Sequence, residues 1–226
     1  MKRMLFTITL LLATAPLVLA QDDQRAEFFI GYSNLQGEGI PDRNSDPNFP
    51  FNNDFFKRRA TLHGVNAAVT GFPSKRFGIT GDFSFNRKER SNTVTNGVDS
   101  IKNDTYYFMG GPSVKFRNMG RVEPFMRVMA GGAHTRFIVS SRRNLTTGTV
   151  NNSFDVGTTD FAMGAGGGLD IRLGDKFSLR LIQIDYTPIF LRDKSISVLG
   201  QAGALQPFTL EGQRQDNVRF SVGLVF

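Results

Sequence analysis

Cysteine and tryptophan are absent from the 226 residues, and histidine occurs twice. Without cysteine there is no disulfide, no metal thiolate and no thiol nucleophile. His63 and His134 are isolated from each other and offer no metal-ligand spacing. After the first twenty residues, no segment approaches the roughly 18 consecutive apolar residues of a membrane helix. Charge of one sign is in modest excess, +7 overall, of which Lys2 and Arg3 supply two. A balance so diffuse permits contact with anionic lipid and argues against a nucleic-acid partner.

The first twenty residues stand apart. Lys2 and Arg3 form a charged start, Met4 to Leu12 is apolar, Pro16 breaks the run, and Val18-Leu19-Ala20 offers small residues at a cleavage site. This reads as a secretory signal peptide over residues 1–20, cut after Ala20. Residues 21–226, about 205 in all, suffice for one large β domain.

The last eleven residues are the clearest pattern in the chain. Val218, Phe220, Val222, Leu224 and Phe226 alternate with Asn217, Arg219, Ser221 and Gly223. Strict alternation is a strand with one apolar and one polar face. Similar patterns predict strands at 25–34, 60–71, 77–86, 104–116, 124–136, 159–173, 177–190 and 216–226. The connections after the first, third, fifth and seventh strands are long, roughly 17 to 25 residues, and the others are short, roughly 3 to 7, as in a transmembrane barrel. Low overall hydrophobicity agrees, because only alternate strand residues of a barrel meet lipid. Phe77, Phe116, Phe177 and Phe226 fall near one rim and Tyr32, Phe85, Tyr106, Phe161 and Tyr186 near the other, as two interfacial belts would.

Two turns fix pairings. A two-residue turn centred on Asn96-Gly97 pairs Phe85 with Phe108, Ile79 with Val114 and Phe77 with Phe116, so that the third and fourth strands continue as a protruding hairpin. A three-residue turn at Gly174-Asp175-Lys176 pairs Leu173 with Phe177 and Ile171 with Leu179. The seventh strand changes phase, which a β-bulge near Leu181-Ile182 reconciles. Pro112, preceded by Gly110-Gly111, removes a ladder hydrogen bond and predicts a local irregularity.

With these features in place, residues 21–226 resemble the small bacterial outer-membrane β-barrels of the OmpA-like and OmpX-like family. The resemblance rests on the signal peptide, the strand count, the alternating connections and the terminal Phe226. It implies an all-β fold: an eight-stranded antiparallel up-and-down transmembrane β-barrel with a cleaved N-terminal signal peptide. It implies the outer membrane of a Gram-negative bacterium, both termini periplasmic, and a monomer. Val218, Phe220, Val222, Leu224 and Phe226 would be the signal read by the barrel-assembly machinery. The family pattern brings no catalytic signature, no cofactor and no metal.

The inward faces carry Glu27, Asp82, Lys115, Arg127, Asp160, Asp170, Arg172 and Arg219, joined by Arg180 and Asp185 if the bulge is real. An eight-stranded barrel is just wide enough to be filled by side chains, and buried charges need partners. A salt-bridged plug is therefore expected, with Asp82, Asp170 and Glu27 as candidate partners of Arg127, Arg172 and Arg219. Basic residues at the outer strand ends, Lys57, Arg58, Arg59, Arg87, Lys88, Arg142 and Arg143, are placed to meet lipopolysaccharide phosphates; solvated loop charge is the competing reading. Exposed apolar residues in the first loop (Phe49, Phe51, Phe55, Phe56) and in the last (Ile196, Val198, Leu199, Ala204, Leu205, Phe208, Leu210) suit either a binding surface or a cap on the barrel mouth. The run Gly164-Ala165-Gly166-Gly167-Gly168 copies part of a dinucleotide fingerprint, but it lies in a strand pattern with no following helix. The histidines lack a nearby nucleophilic serine. Together these features favour a structural, envelope-anchoring or surface-interaction barrel. A small transport channel and a membrane-embedded lipid-modifying enzyme are the alternatives.

Overall fold

The computed structural model describes residues 26–37, 60–94, 97–117, 120–145, 148–174, 177–199, 205–210 and 214–226. The expected signal peptide, the triplet Lys57-Arg58-Arg59 and the phenylalanines of the first long loop lie outside the described residues, as do Ala204 and the side chains of Arg143 and of the other apolar residues named in the last loop.

Among the described residues there are twelve strands: β1 (Ala26–Gly37), β2 (Ala60–Gly71), β3 (Phe77–Val94), β4 (Gly97–Lys115), β5 (Val122–Leu145), β6 (Gly148–Arg172), β7 (Ser178–Tyr186), β8 (Ile189–Phe190), β9 (Lys194–Leu199), β10 (Leu205–Leu210), β11 (Arg214–Gln215) and β12 (Asn217–Val225). Eight of them form a closed antiparallel ring, β1-β2-β3-β4-β5-β6-β7-β12 and back to β1. β8 and β11 prolong β7 and β12 toward one rim, where β8 pairs with β6 and β11. β9 and β10 form a separate two-stranded hairpin between them. Phe226 closes the seam by exchanging backbone hydrogen bonds with Phe28, both 2.9 Å. The start of β1 and the end of β12 share the rim of the short turns after β2, β4 and β6.

Alternation in sequence becomes inside and outside in space. Ile79 is 67% exposed, and its neighbour Thr80 is 2% exposed. Phe28, Ile30, Val65, Val69, Phe108, Met126, Val128, Val222 and Leu224 all project from the wall. A soluble domain would bury this apolar exterior; a membrane-spanning barrel turns it to lipid.

Two expectations are corrected. The connection after β5 is not a long loop, whereas β3 and β4 continue as the protruding hairpin expected from the Asn96-Gly97 turn. The strands run on to Val94 and Leu145, and only residues 95–96 and 146–147 separate them from their partners. Alternation fades there because both faces of a sheet beyond the membrane meet water, while the hydrogen-bonded ladder does not need the apolar face. The β3–β4 turn also lies one residue earlier than expected. Val94 pairs with Gly97, Phe77 with Val114, Ile79 with Pro112 and Phe85 with Tyr106. Each pairing moves by two residues, so every side chain keeps its face.

Other readings hold. Ile171 pairs with Leu179, and the Leu173 N–H reaches the Phe177 carbonyl at 3.2 Å. The bulge falls where the phase change put it: Leu169 pairs with Ile182 while Asp170 pairs with Arg180, leaving Leu181 as the extra residue. Leu181 and Ile182 both face outward. Pro112 brings the expected local irregularity, since the β4–β5 pairing skips Gly111 and Pro112. It sits on the outward face, and the β4–β5 register is the same on both sides of it, from Gly110 with Ala130 to Ser113 with Arg127.

Candidate functional site

The candidate site is the polar interior of the ring, built from inward positions of β1 to β7 and β12. Its centre is a quartet of alternating charge. Arg219 meets Asp82 at 2.8 Å and Asp185 at 2.9 Å, and Arg127 meets the same two carboxylates at 3.1 and 2.7 Å. All four residues are buried. Asn66 donates to Asp82 at 3.0 Å, Gln183 to Asp185 at 2.7 Å, and Arg219 to the Ser84 hydroxyl at 2.7 Å. Charged hydrogen bonds of this kind offset the desolvation that burial imposes.

Glycine makes the quartet possible. Arg127, Gly166 and Asp185 are cross-strand neighbours on β5, β6 and β7. A Cβ on Gly166 would lie 2.4 Å from Asp185 Oδ1 and 2.2 Å from the Ile184 carbonyl oxygen. With none there, Arg127 reaches across β6 to its partner two strands away. The run 164–168 is therefore wall, not a nucleotide loop: on its inward side Gly164 faces Met109 and Met129, and Gly168 faces Phe125.

Toward the short-turn rim stands a second cluster. Lys115 Nζ lies 2.8 Å from Glu27, 3.2 Å from Glu123 and 2.9 Å from Asp170. Each carboxylate also holds an arginine: Glu27 holds Arg117 at 2.9 Å, Asp170 holds Arg180 at 2.8 Å, and Glu123 holds Arg172. Arg180 lies between the rings of Phe29 and Phe125, at 4.3 and 4.0 Å, a cation–π arrangement in a desolvated place. Gln183 joins the clusters, accepting from Arg180 and donating to Asp185, both at 2.7 Å. A cavity of about 20 Å³ beside Ser113, Lys115 and Arg127 has room for about one water.

Toward the long-hairpin rim the lumen turns apolar. Leu35, Leu62, Met109, Met129, Ala133 and Ile189 pack together with Tyr107. The Tyr107 hydroxyl donates to the Thr187 carbonyl at 3.3 Å and accepts from Asn217 at 2.9 Å. The described interior is thus filled by paired charges below and by apolar packing above.

Most expected lumen charges meet here: Arg127 and Arg219 hold the expected Asp82 and also Asp185, while Asp170 and Glu27 are taken by Lys115, Arg180 and Arg117. Glu27, Asp82, Lys115, Arg127, Asp170 and Arg219 lie in the two clusters, and Arg172 pairs with Glu123 at the rim. Asp160 faces inward but stays apart: it accepts from the Thr158 hydroxyl at 2.7 Å and from the Arg192 N–H at 3.2 Å. Glu123 lies just outside the expected strand 124–136, whose start falls two residues after that of β5, although it shares parity with Arg127. Asn66 and Gln183 carry no charge, so a search for inward charges does not find them.

The basic outer residues divide. Arg87 faces outward and pairs with Asp104 at 2.6 Å, whereas Lys88 falls on the opposite, axis-facing side of β3. Arg142 lies far along the protruding part of β5. Arg136, on the outward face of β5, pairs with Asp155 and holds that carboxyl below the usual carboxylate range, chiefly by hydrogen bonding. His63 contacts Tyr32 and Asn34, and His134 contacts Thr159 at 2.7 Å. Of the closing-strand residues, Phe220, Val222, Leu224 and Phe226 project outward from the wall, and Val218 is half-buried on the same face.

A closed eight-stranded ring with an apolar exterior band and a polar interior is a barrel of the outer-membrane type. No protein-family model matches the chain, and no curated protein matches its sequence. Its shape is similar to a major outer membrane protein from Thermus thermophilus, with 11% identity, coverage of 89% of this chain and 98% of that one, and a TM-score of 0.49. It is also similar to Ail, the attachment invasion locus protein of Yersinia pestis, with 16% identity, coverage of 89% and 97%, and a TM-score of 0.47. The outer membrane protease OmpT of Escherichia coli is similar at 6% identity, coverage of 89% and 95%, and a TM-score of 0.47.

Proposed function

We propose that this chain is an outer-membrane barrel with a lumen closed to ions, acting as a structural and surface-interaction element of the envelope and not as an enzyme. The observation that carries this reading is the interlocked quartet of Asp82, Arg127, Asp185 and Arg219 across the middle of the lumen. Each charge has two opposite partners, so opening a path means breaking several buried pairs together, and each costs several kcal/mol (about 3–5) when one partner is lost. The apolar layer of Leu35, Leu62, Met109 and Met129 supports the same reading. Both histidines engage neighbours on the outward face, which suits the membrane-interface belt better than a hydrolytic triad.

In this reading the short-turn rim and both chain ends are periplasmic, and the long β3–β4 and β5–β6 hairpins are extracellular. The partners are outer-membrane lipid and, during biogenesis, the assembly machinery that recognises the closing strand ending at Phe226. No nucleic acid or cofactor takes part, and the barrel works as a monomer. The test is conductance of the purified, folded protein in planar bilayers, where little or no steady current is expected. A large, stable, ion-selective conductance would overturn the closed-lumen reading in favour of a small transport channel.

A further inference from the structure

The cavity of about 20 Å³ beside Ser113 lies where the quartet meets the cluster at the short-turn rim. Three cationic side chains line it, Lys115, Arg127 and Arg180, and among the described residues Glu27 is the one carboxylate in the lining. Glu27 is already engaged, by Lys115 through both oxygens and by Arg117. The other carboxylates that hold these cations, Asp82, Glu123, Asp170 and Asp185, are not in the lining. The cations therefore come between the cavity and their partners, and the field inside it is positive. Among the described residues of the short-turn cluster, Lys115, Arg117, Arg172 and Arg180 share the three carboxylates Glu27, Glu123 and Asp170, which leaves one positive charge in excess.

Spare donors line the same space. The Ser113 hydroxyl is buried and has no hydrogen-bond partner among the described residues. The Thr70 and Thr80 hydroxyls, also in the lining, bond each other at 2.9 Å, so Ser113 is the hydroxyl left over. A buried hydroxyl without a partner is costly. Arg127 reaches Asp82 and Asp185 through three N–H groups, and Arg180 reaches Asp170 and Gln183 through three. A guanidinium carries five. Gly78 keeps the place beside the hydroxyl open: a Cβ there would lie 2.9 Å from Ser113 Oγ and 3.0 Å from the Phe72 ring. A water satisfies the hydroxyl but leaves the positive field unanswered. An anion accepts from the hydroxyl and from guanidinium N–H groups together, and charge-assisted hydrogen bonds are the stronger kind. Room for about one water admits a monatomic ion and excludes sulfate or phosphate.

We propose that this cavity is a binding site for one chloride-sized monovalent anion, taken by the Ser113 hydroxyl and by spare N–H groups of Arg127 and Arg180. The anion ties Arg127 of the quartet to Arg180 of the second cluster, beside the link that Gln183 already makes. Its place is on the short-turn side of the quartet, so occupancy breaks none of the pairs of Asp82, Asp185 and Arg219.

The test uses the whole folded barrel in zwitterionic detergent micelles. Its unfolding temperature is read by heat-modifiable gel mobility while sodium chloride or bromide replaces sodium gluconate or sulfate at constant ionic strength. The temperature should rise with chloride and with bromide, as for any ligand of the folded state, and stay level with gluconate and sulfate. Crystals soaked in bromide should show one bromide beside Ser113 by anomalous scattering. Ser113→Ala should still fold and should weaken halide binding about tenfold, the scale of one hydrogen bond to a charged group. Gly78→Ala, which sets a methyl against the hydroxyl, should weaken it as well. Arg142→Ala, far along the protruding part of β5, should leave it unchanged. Equal stabilisation by all four salts, a full halide response in Ser113→Ala, or water alone in the cavity of bromide-soaked crystals would overturn the site.

Discussion

Asp185 accepts hydrogen bonds from Arg127, Arg219 and Gln183 within the central quartet. Replacing it with asparagine leaves two buried guanidinium groups to share Asp82. Urea unfolding in lipid vesicles should show Asp185→Asn destabilised by about 3–5 kcal/mol, the cost of stranding a buried charge. The outward face obeys a different solvent. Val128 projects from the middle of the membrane-embedded part of β5, while Val98 projects from the protruding part of β4. Both are outward-facing valines, 53% and 41% exposed, and they differ in depth. Val128→Arg should cost about 2–4 kcal/mol in the same assay, and Val98→Arg about 0–1. Equal costs would mean that the hairpin, too, lies in lipid.

Among the elements, β7 departs from regularity and shows why. Its two ends alternate in opposite phase, and Leu181 is the residue that reconciles them. Neighbouring Leu169 and Asp170 on β6 pair with Ile182 and Arg180, so removing Leu181 would leave an unbroken ladder with Arg180 and Gln183 still inward. Deletion of Leu181 should therefore yield a folded, heat-modifiable barrel. Deletion of Ile184, three residues away in the same strand, shifts one part of β7 by a single residue, turns Gln183 and Arg180 toward lipid, and should prevent folding. If both deletions folded, or neither did, the bulge would not be the phase corrector inferred here. The protruding hairpins follow a complementary rule: β3 to β6 continue beyond the membrane because their ladders persist after the need for an apolar face has ended.

At the scale of the molecule, the two charge clusters act as one structure because Gln183 bridges them. Weakening the quartet should then appear as leak as well as instability. Asp82→Asn combined with Asp185→Asn removes both carboxylates from the quartet and leaves like charges facing each other. In planar bilayers this pair should show a small, anion-favouring conductance where the unmodified barrel is silent. Silence in the double variant would place the seal in the apolar layer of Leu35, Leu62, Met109, Met129 and Ile189 instead.

Which residues face lipid and which face the lumen is legible in the chain alone, since a strand alternates its sides whatever its partner. The same alternation locates the bulge near Leu181 and most of the lumen charges. Parity holds even though the β3–β4 turn lies one residue earlier than Asn96-Gly97 implies, because moving a turn by one residue moves each pair by two. Partner choice came only with tertiary structure. Nothing in the chain sets the height of Asp82 against Arg219, or lets Arg127 reach Asp185 across β6, until the stagger of the closed ring aligns them and Gly166 clears the way. Strand length beyond the membrane was equally a tertiary matter: with water on both faces, the pattern that marks a strand disappears while the strand goes on.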